Sequence, residues 1–138
     1  KVIMVGTMPE KITIPTNMLC VGTIREPELL AKYYAMADVF LNPSVQETFG
    51  KTTAEAICCG TPVVAYNTTA CTELVGEMCG KTAELGETKC FMDAIRAVLA
   101  EGKEEYQAAL HKFALGNFCM EHDIKTYLDV IKELSKKV

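Results

Sequence analysis

Basic clusters, paired cysteines and long apolar runs are all missing from this chain. No group of Lys and Arg is long enough to track a phosphate backbone, and the formal net charge is -4, which argues against nucleic acid as a partner. No apolar run approaches the roughly 20 residues of a membrane span, and no signal-peptide pattern is visible. The seven cysteines form no C-x2-C pair. Cys58 and Cys59 are adjacent, the others are scattered, and the count is odd. This disfavours a disulfide framework or a zinc site. Free thiols make good small core residues, so a reducing, cytoplasmic compartment is expected. The G-x4-G-K-[ST], G-x-G-x-x-G and G-x-S-x-G patterns do not occur, which argues against P-loop, standard dinucleotide and hydrolase chemistry. His111 and His122 have no Cys, Asp or second His at metal spacing and read as surface histidines. There is no internal repeat and no low-complexity tract.

What is present suits one globular domain: 138 residues, 49% hydrophobic and 23% charged, enough for a modest core. The first residue is Lys and a strand-like run follows at once, so the sequence reads as the downstream part of a longer protein. Val2–Val5 and Met18–Val21 are short apolar runs ended by glycine, read as strands. Glu28–Ala37 is read as a helix with Pro27 near its first position. Strand Asp38–Leu41 stops at Asn42-Pro43, and helix Gly50–Cys59 ends at Gly60, a suitable residue for a helix terminus. Strand Pro62–Tyr66, a short helix Thr69–Val75 and an edge strand Lys81–Leu85 follow. Three apolar helical stripes come next: Phe91 to Leu99, Tyr106 to Phe113, and Ile124 to Leu134. They are expected to be core faces. Strands alternating with helices predict an α/β, Rossmann-like domain, a three-layer parallel sheet with helices on both faces.

Ligands of such sheets bind beyond the carboxyl ends of the strands, which directs attention to Gly6-Thr7, Gly22-Thr23, Asn42–Gly50 and Asn67–Glu73. A helix starting near Gly50 would aim free N–H groups and a partial positive charge at that edge, a setting suited to phosphate. Gly50 permits close approach, and Lys51 sits in a first turn where a cation is disfavoured unless an anion binds. Thr52-x-x-Glu55 also fits a capping box, so Glu55 is open between cap and ligand contact. Glu47 precedes the helix, where a carboxylate can accept hydrogen bonds from vicinal hydroxyls; the alternative is a solvated loop acid. Ser44 fits either a turn cap or a phosphate contact. Glu73 is read as an acid opening a short helix.

The string "ADVFLNPSVQETFGKTTAEAICCGTPVVAYNTTACTELVGEMCG", Ala37 to Gly80, resembles the donor-binding core of retaining glycosyltransferases with the GT-B fold. The pattern comprises an apolar strand, Pro-Ser, Glu-x-Phe-Gly, Glu-Ala on the next helix, Gly-x-Pro-Val-Val, and a loop into Glu-Leu-Val and Gly. The resemblance implies a single C-terminal half-domain over 1–138, with a donor core at 20–80 and C-terminal helices at 90–137. It implies that Glu47 binds donor-sugar hydroxyls and Glu55 the ribose. Phe49, Gly50 and Lys51 would approach sugar and diphosphate, Thr52 the phosphates, and Gly22, Thr23 and Ile24 the base. The donor would be a UDP-, GDP- or ADP-sugar, with no metal in this domain and no certain catalytic residue. The acceptor would be a glycan or lipid, assembled at the inner face of a membrane.

Two departures from the family pattern carry expectations of their own. Its basic pair would fall in "VGTMPEK", where Thr7 replaces the Arg and Lys11 is one position short. This implies that the family's first strand and the acceptor domain lie upstream, that the sheet is compensated by strand exchange between chains or a repacked edge, and that the chain alone is inactive. A nucleotide-sugar 2-epimerase and a non-catalytic interaction module remain as alternatives.

Overall fold

Short apolar runs stopped by glycine or proline become parallel strands. In the computed structural model, which describes residues 1–8 and 12–136 apart from the side chain of His122, β1 (Val2–Met4) pairs with β2 (Met18–Cys20), Ile3 opposite Leu19. A second parallel sheet runs in the order β3-β4-β5, made of Phe40–Asn42, Val63–Tyr66 and Gly80–Ala83. Leu41 faces Val64 across one ladder, and Val64 faces Lys81 across the other. Five helices of the expected pattern alternate with and follow these strands: α1 (Pro27–Met36), α2 (Lys51–Cys58), α3 (Thr69–Val75), α4 (Thr88–Glu101) and α5 (Gln107–Asn117). A sixth, α6 (Met120–Ser135), closes the order, and a 3-10 turn at Lys103–Tyr106 joins α4 to α5. The fold is the expected α/β arrangement of parallel strands flanked by helices. The strands lie in two sheets rather than one, and among the described residues no ladder joins β1-β2 to β3-β4-β5.

Consecutive strand residues point to opposite faces of a sheet. Val63, Val64 and Ala65 are each 0% exposed, so β4 is covered on both faces, the condition for a parallel sheet. Ile57 from α2, Val75 from α3, Val98 from α4 and Leu110 from α5 complete this core. Each such side chain contributes on the order of 1.5–3 kcal/mol by leaving water. The β4-β5 contact is close enough to dictate a residue. Gly80 has φ 152°, and a Cβ there would lie 1.8 Å from the carbonyl oxygen of Val63.

The end of α1 is tied down by a cation. The Lys103 ammonium donates to the carbonyls of Ala35 (2.6 Å) and Ala37 (3.0 Å) and to Thr61 Oγ1 (3.0 Å), while the Thr61 hydroxyl donates to the Tyr34 carbonyl at 2.6 Å. The last carbonyls of a helix have no partners within it, and a cation suits that end of the dipole.

Two expectations need correction. The stripe Ile124, Tyr127, Leu128, Ile131 and Leu134 is not a core face: every one of these residues is exposed. Glu73 lies in the second turn of α3 rather than opening it, and the first turn holds no acid.

Candidate functional site

The loops leaving β3 and β4 are fixed by one buried amide. Asn42, the last residue of β3 and 5% exposed, donates from Nδ2 to Thr53 Oγ1 on α2 at 2.9 Å and to Cys71 Sγ on α3 at 3.7 Å. Its Oδ1 accepts the Ser44 N–H at 3.1 Å, a side-chain turn that reverses the chain after Pro43. Ser44 is thus placed at the strand edge, held through its backbone.

Gly50 is the N-cap of α2, in the left-handed region at φ 78°. A Cβ there would come within 2.9 Å of Leu74 Cδ1, so both conformation and space call for glycine. No side chain caps the helix, and its first main-chain bond runs from the Ala54 N–H to the Gly50 carbonyl at 3.0 Å. Among the described residues the amides of Lys51, Thr52 and Thr53 have no acceptor outside the helix. These are the orphan donors of a helix start, at the positive end of its dipole.

The capping box does not form. The helix begins at Lys51, which puts Thr52 inside it and leaves Glu55 in the second turn. Glu55 instead accepts the Tyr34 hydroxyl on Oε2 at 3.0 Å, and its Oε1 lies 3.8 Å from Lys51 Nζ. The Lys51 side chain is 84% exposed, so this pair adds little to stability. Burial, then the Glu55 carboxylate, pushes the Tyr34 hydroxyl well above its ordinary range.

Glu47 is held through its backbone. Its N–H donates to Thr69 Oγ1 at 3.0 Å. Thr69 has φ 41°, an uncommon conformation for a β-branched residue, and the neighbouring Thr68 hydroxyl is buried without a partner among the described residues. Burial raises the Cys71 thiol, and the negative charge of Glu47 adds to that shift, which places Glu47 beside α3. Phe49 is 55% exposed, with its ring edge-on to Phe118 at 6.3 Å, and Phe118 rests on Phe113 at 5.8 Å.

Ser44, Glu47, Phe49, Gly50, Lys51, Thr52 and Glu55 therefore share the edge beyond β3 at the head of α2. Gly22, Thr23 and Ile24 follow β2, and their bonds run to the β1 side: Gly6 N–H to the Gly22 carbonyl at 2.8 Å, and Thr23 Oγ1 to Thr7 Oγ1 at 3.1 Å. No hydrogen bond joins them to the first group among the described residues. Lys11 lies outside the described residues, as does the side chain of His122; His111 is exposed. Sequence reasoning missed Asn42, Thr69, Tyr34, Lys103 and Phe118 as supports. Phe49, Lys51 and Thr52 on this edge are exposed. Two cavities, of about 220 and 290 Å³, lie elsewhere, one beside Cys58, Cys59 and His111 and the other beside Asp38 and Lys103. Among the described residues no three His, Cys, Asp or Glu converge as metal ligands, and no helix is long and apolar enough to cross a membrane.

A family model described as glycosyl transferases group 1 matches residues 1–101. A D-inositol 3-phosphate glycosyltransferase of Geodermatophilus obscurus is 39% identical over 98 residues, covering 70% of this chain and 21% of the relative. Another, of Xylanimonas cellulosilytica, is 32% identical over 114 residues, covering 81% and 27%. A GDP-mannose-dependent alpha-(1-6)-phosphatidylinositol dimannoside mannosyltransferase of Mycobacterium tuberculosis is 34% identical over 79 residues, covering 57% and 20%. The chain thus spans between a fifth and about a quarter of these relatives. In three dimensions it is similar to the pneumococcal O-GlcNAc transferase GtfA, solved with UDP and GlcNAc, at TM-score 0.61 and 20% identity over 84% of this chain and 24% of that one. That likeness shows a GT-B fold.

Proposed function

The chain belongs to the glycosyl transferases group 1 family, and on that premise we propose that it is the donor-binding half of a retaining glycosyltransferase. The donor is a nucleoside diphosphate sugar, and the sugar passes to a glycan or lipid-linked acceptor held by a separate domain. The observation that carries this reading is the head of α2, where the Lys51, Thr52 and Thr53 amides lack acceptors behind a left-handed Gly50. Such donors suit a diphosphate, and they stabilise it most when the leaving group takes up charge in the transition state. Lys51 adds a mobile positive charge at the same place.

Glu55, one turn further along α2, takes the ribose hydroxyls, and Glu47, fixed at Thr69, takes hydroxyls of the donor sugar. Each contribution is one of orientation. Phe49 and Ser44 border the sugar and phosphates, and Gly22–Ile24 border the base. Neither acid is the nucleophile, and no metal is assigned a role. The reaction takes place at the cytoplasmic side of a membrane, and the 138-residue chain alone does not turn over.

The mycobacterial relative's name specifies GDP-mannose and the solved neighbour holds UDP, so the base is decided by titration. Calorimetry of UDP, GDP and ADP against the intact natural protein is expected to show binding of one of them. Glu55→Ala is expected to weaken it by about tenfold, the cost of a charge-assisted hydrogen bond, with a fall in melting temperature no larger than loss of the Tyr34 hydrogen bond accounts for, because Glu55 closes no cap. Failure of all three nucleotides to bind, or an unaltered affinity in Glu55→Ala, would refute the assignment.

A further inference from the structure

We infer that Tyr34 is the positioning residue for Glu55: its hydroxyl holds Oε2 and thereby turns the other carboxylate oxygen toward the ligand edge. This rests on the reading of Glu55 as the ribose acid. A glutamate side chain on a helix surface has several rotamers, and ordering it on binding costs free energy. Glu55 is 33% exposed, and the Lys51 ammonium lies 3.8 Å away on a side chain that is 84% exposed. That contact is too loose to fix a rotamer. The Tyr34 contact is not loose. The hydroxyl donates at 3.0 Å across 21 positions of sequence, and its ring packs edge-on against Phe40 of β3, centroids 5.4 Å apart at 70°.

The backbone beneath that ring is fixed as well. The Tyr34 carbonyl accepts from Thr61, and the carbonyls of Ala35 and Ala37 are gripped by Lys103. The donor is therefore rigid on three sides, tied to β3, to the α2-β4 turn and to the turn after α4. A carboxylate offers about four acceptor positions, and Tyr34 occupies one of them. Oε1 and the second lone pair of Oε2 stay available for a pair of vicinal hydroxyls. Burial and the carboxylate together keep the Tyr34 proton in place through the neutral range, so the donor does not switch off.

The test compares a nucleoside diphosphate with its 2′-deoxy analogue, using whichever of UDP, GDP and ADP binds the intact natural protein. The readout is the ratio of the two affinities, with inorganic pyrophosphate as a control that does not touch the ribose acid. Wild type is expected to prefer the ribonucleotide, and Glu55→Ala to lose that preference. Tyr34→Phe keeps the ring and its packing on Phe40. It is expected to lower the ratio by about threefold, half in free energy of the about tenfold that loss of Glu55 itself costs, while leaving pyrophosphate affinity unchanged. A merely structural role for Tyr34 would shift both ligands together. If Tyr34→Phe does not fold, Tyr34→Leu takes its place in the same comparison. A full ratio in the Tyr34 variant with a lost ratio in Glu55→Ala overturns the positioning role alone. A full ratio in Glu55→Ala, or no preference in wild type, overturns the ribose assignment and the positioning role with it.

Discussion

The two parallel ladders start from nearly the same sequence pattern and end in different surroundings. In β4, Val63, Val64 and Ala65 are all 0% exposed; in β1 and β2, Ile3 is 38% and Leu19 58% exposed. β1, β2 and β4 are all short apolar runs, and both ladders form regular parallel registers. Apolarity selects the strand, but burial depends on what covers it. Helices α2, α3 and α4 pack on the β3-β4-β5 sheet, and the candidate ligand edge lies on this covered side. Orientation of a carboxylate or an amide to within a fraction of an ångström needs elements that cannot shift, which a packed core provides.

Glycine substitutions test this contrast most severely. Gly80→Ala would drive a methyl into the Val63 backbone and is expected to cost about 4 kcal/mol or more, seen as loss of the cooperative transition in urea. Gly22→Ala meets nothing within 4 Å at φ 74° and should cost only about 1 kcal/mol, the left-handed backbone penalty alone. Similar losses for both would mean that the two ladders are equally packed. Side-chain truncation comes next. Ile57→Ala, at a residue 1% exposed, is expected to lose roughly 2–5 kcal/mol, and Leu19→Ala less than about 1 kcal/mol. Denaturation midpoints of the pair would erase the contrast if they coincided.

The smallest effect is a pH dependence confined to the covered side. Burial pushes the Cys79 thiol from 9.0 up to about 11. The unfolded chain releases this proton first, so the contribution is whole below pH 9.0 and is lost as pH rises toward about 11. Cys79→Ala should flatten the fall of melting temperature over that window in part, since the Tyr34 hydroxyl is raised by burial and acts in the same direction. An unchanged alkaline slope would count against the burial of Cys79.

Much of the local fold was legible because its signals are local. Pro27 marks the start of α1, Gly60 follows the end of α2, and Thr69–Val75 forms the helix that its sequence suggests. Along the candidate site, the ordered string from Asn42 to Glu55 marked the edge that the structure assembles. Its supports were illegible because each acts across sequence. Asn42 before Pro43 reads as a strand breaker, and only the fold shows its amide between Thr53 and Cys71. Tyr34 reads as one more apolar helix residue until Glu55 comes beside it. Lys103 has no local pattern at all, since its partners lie 42 to 68 positions away. A β-branched Thr69 at positive φ contradicts its own preference, which is held in place by the surrounding contacts. The stripe on α6 was misread because helical periodicity reports a face without reporting an occupant for it.

Asn42 has a kinetic consequence. One amide group satisfies a hydroxyl on α2, touches a thiol on α3 and accepts the N–H of Ser44, so none of the three can leave without stranding a buried polar atom of the others. Local openings should then be concerted. Amide protons of α3, the head of α2 and the loop between Ser44 and Gly50 would exchange with solvent as a single unit, rather than fraying in order of exposure.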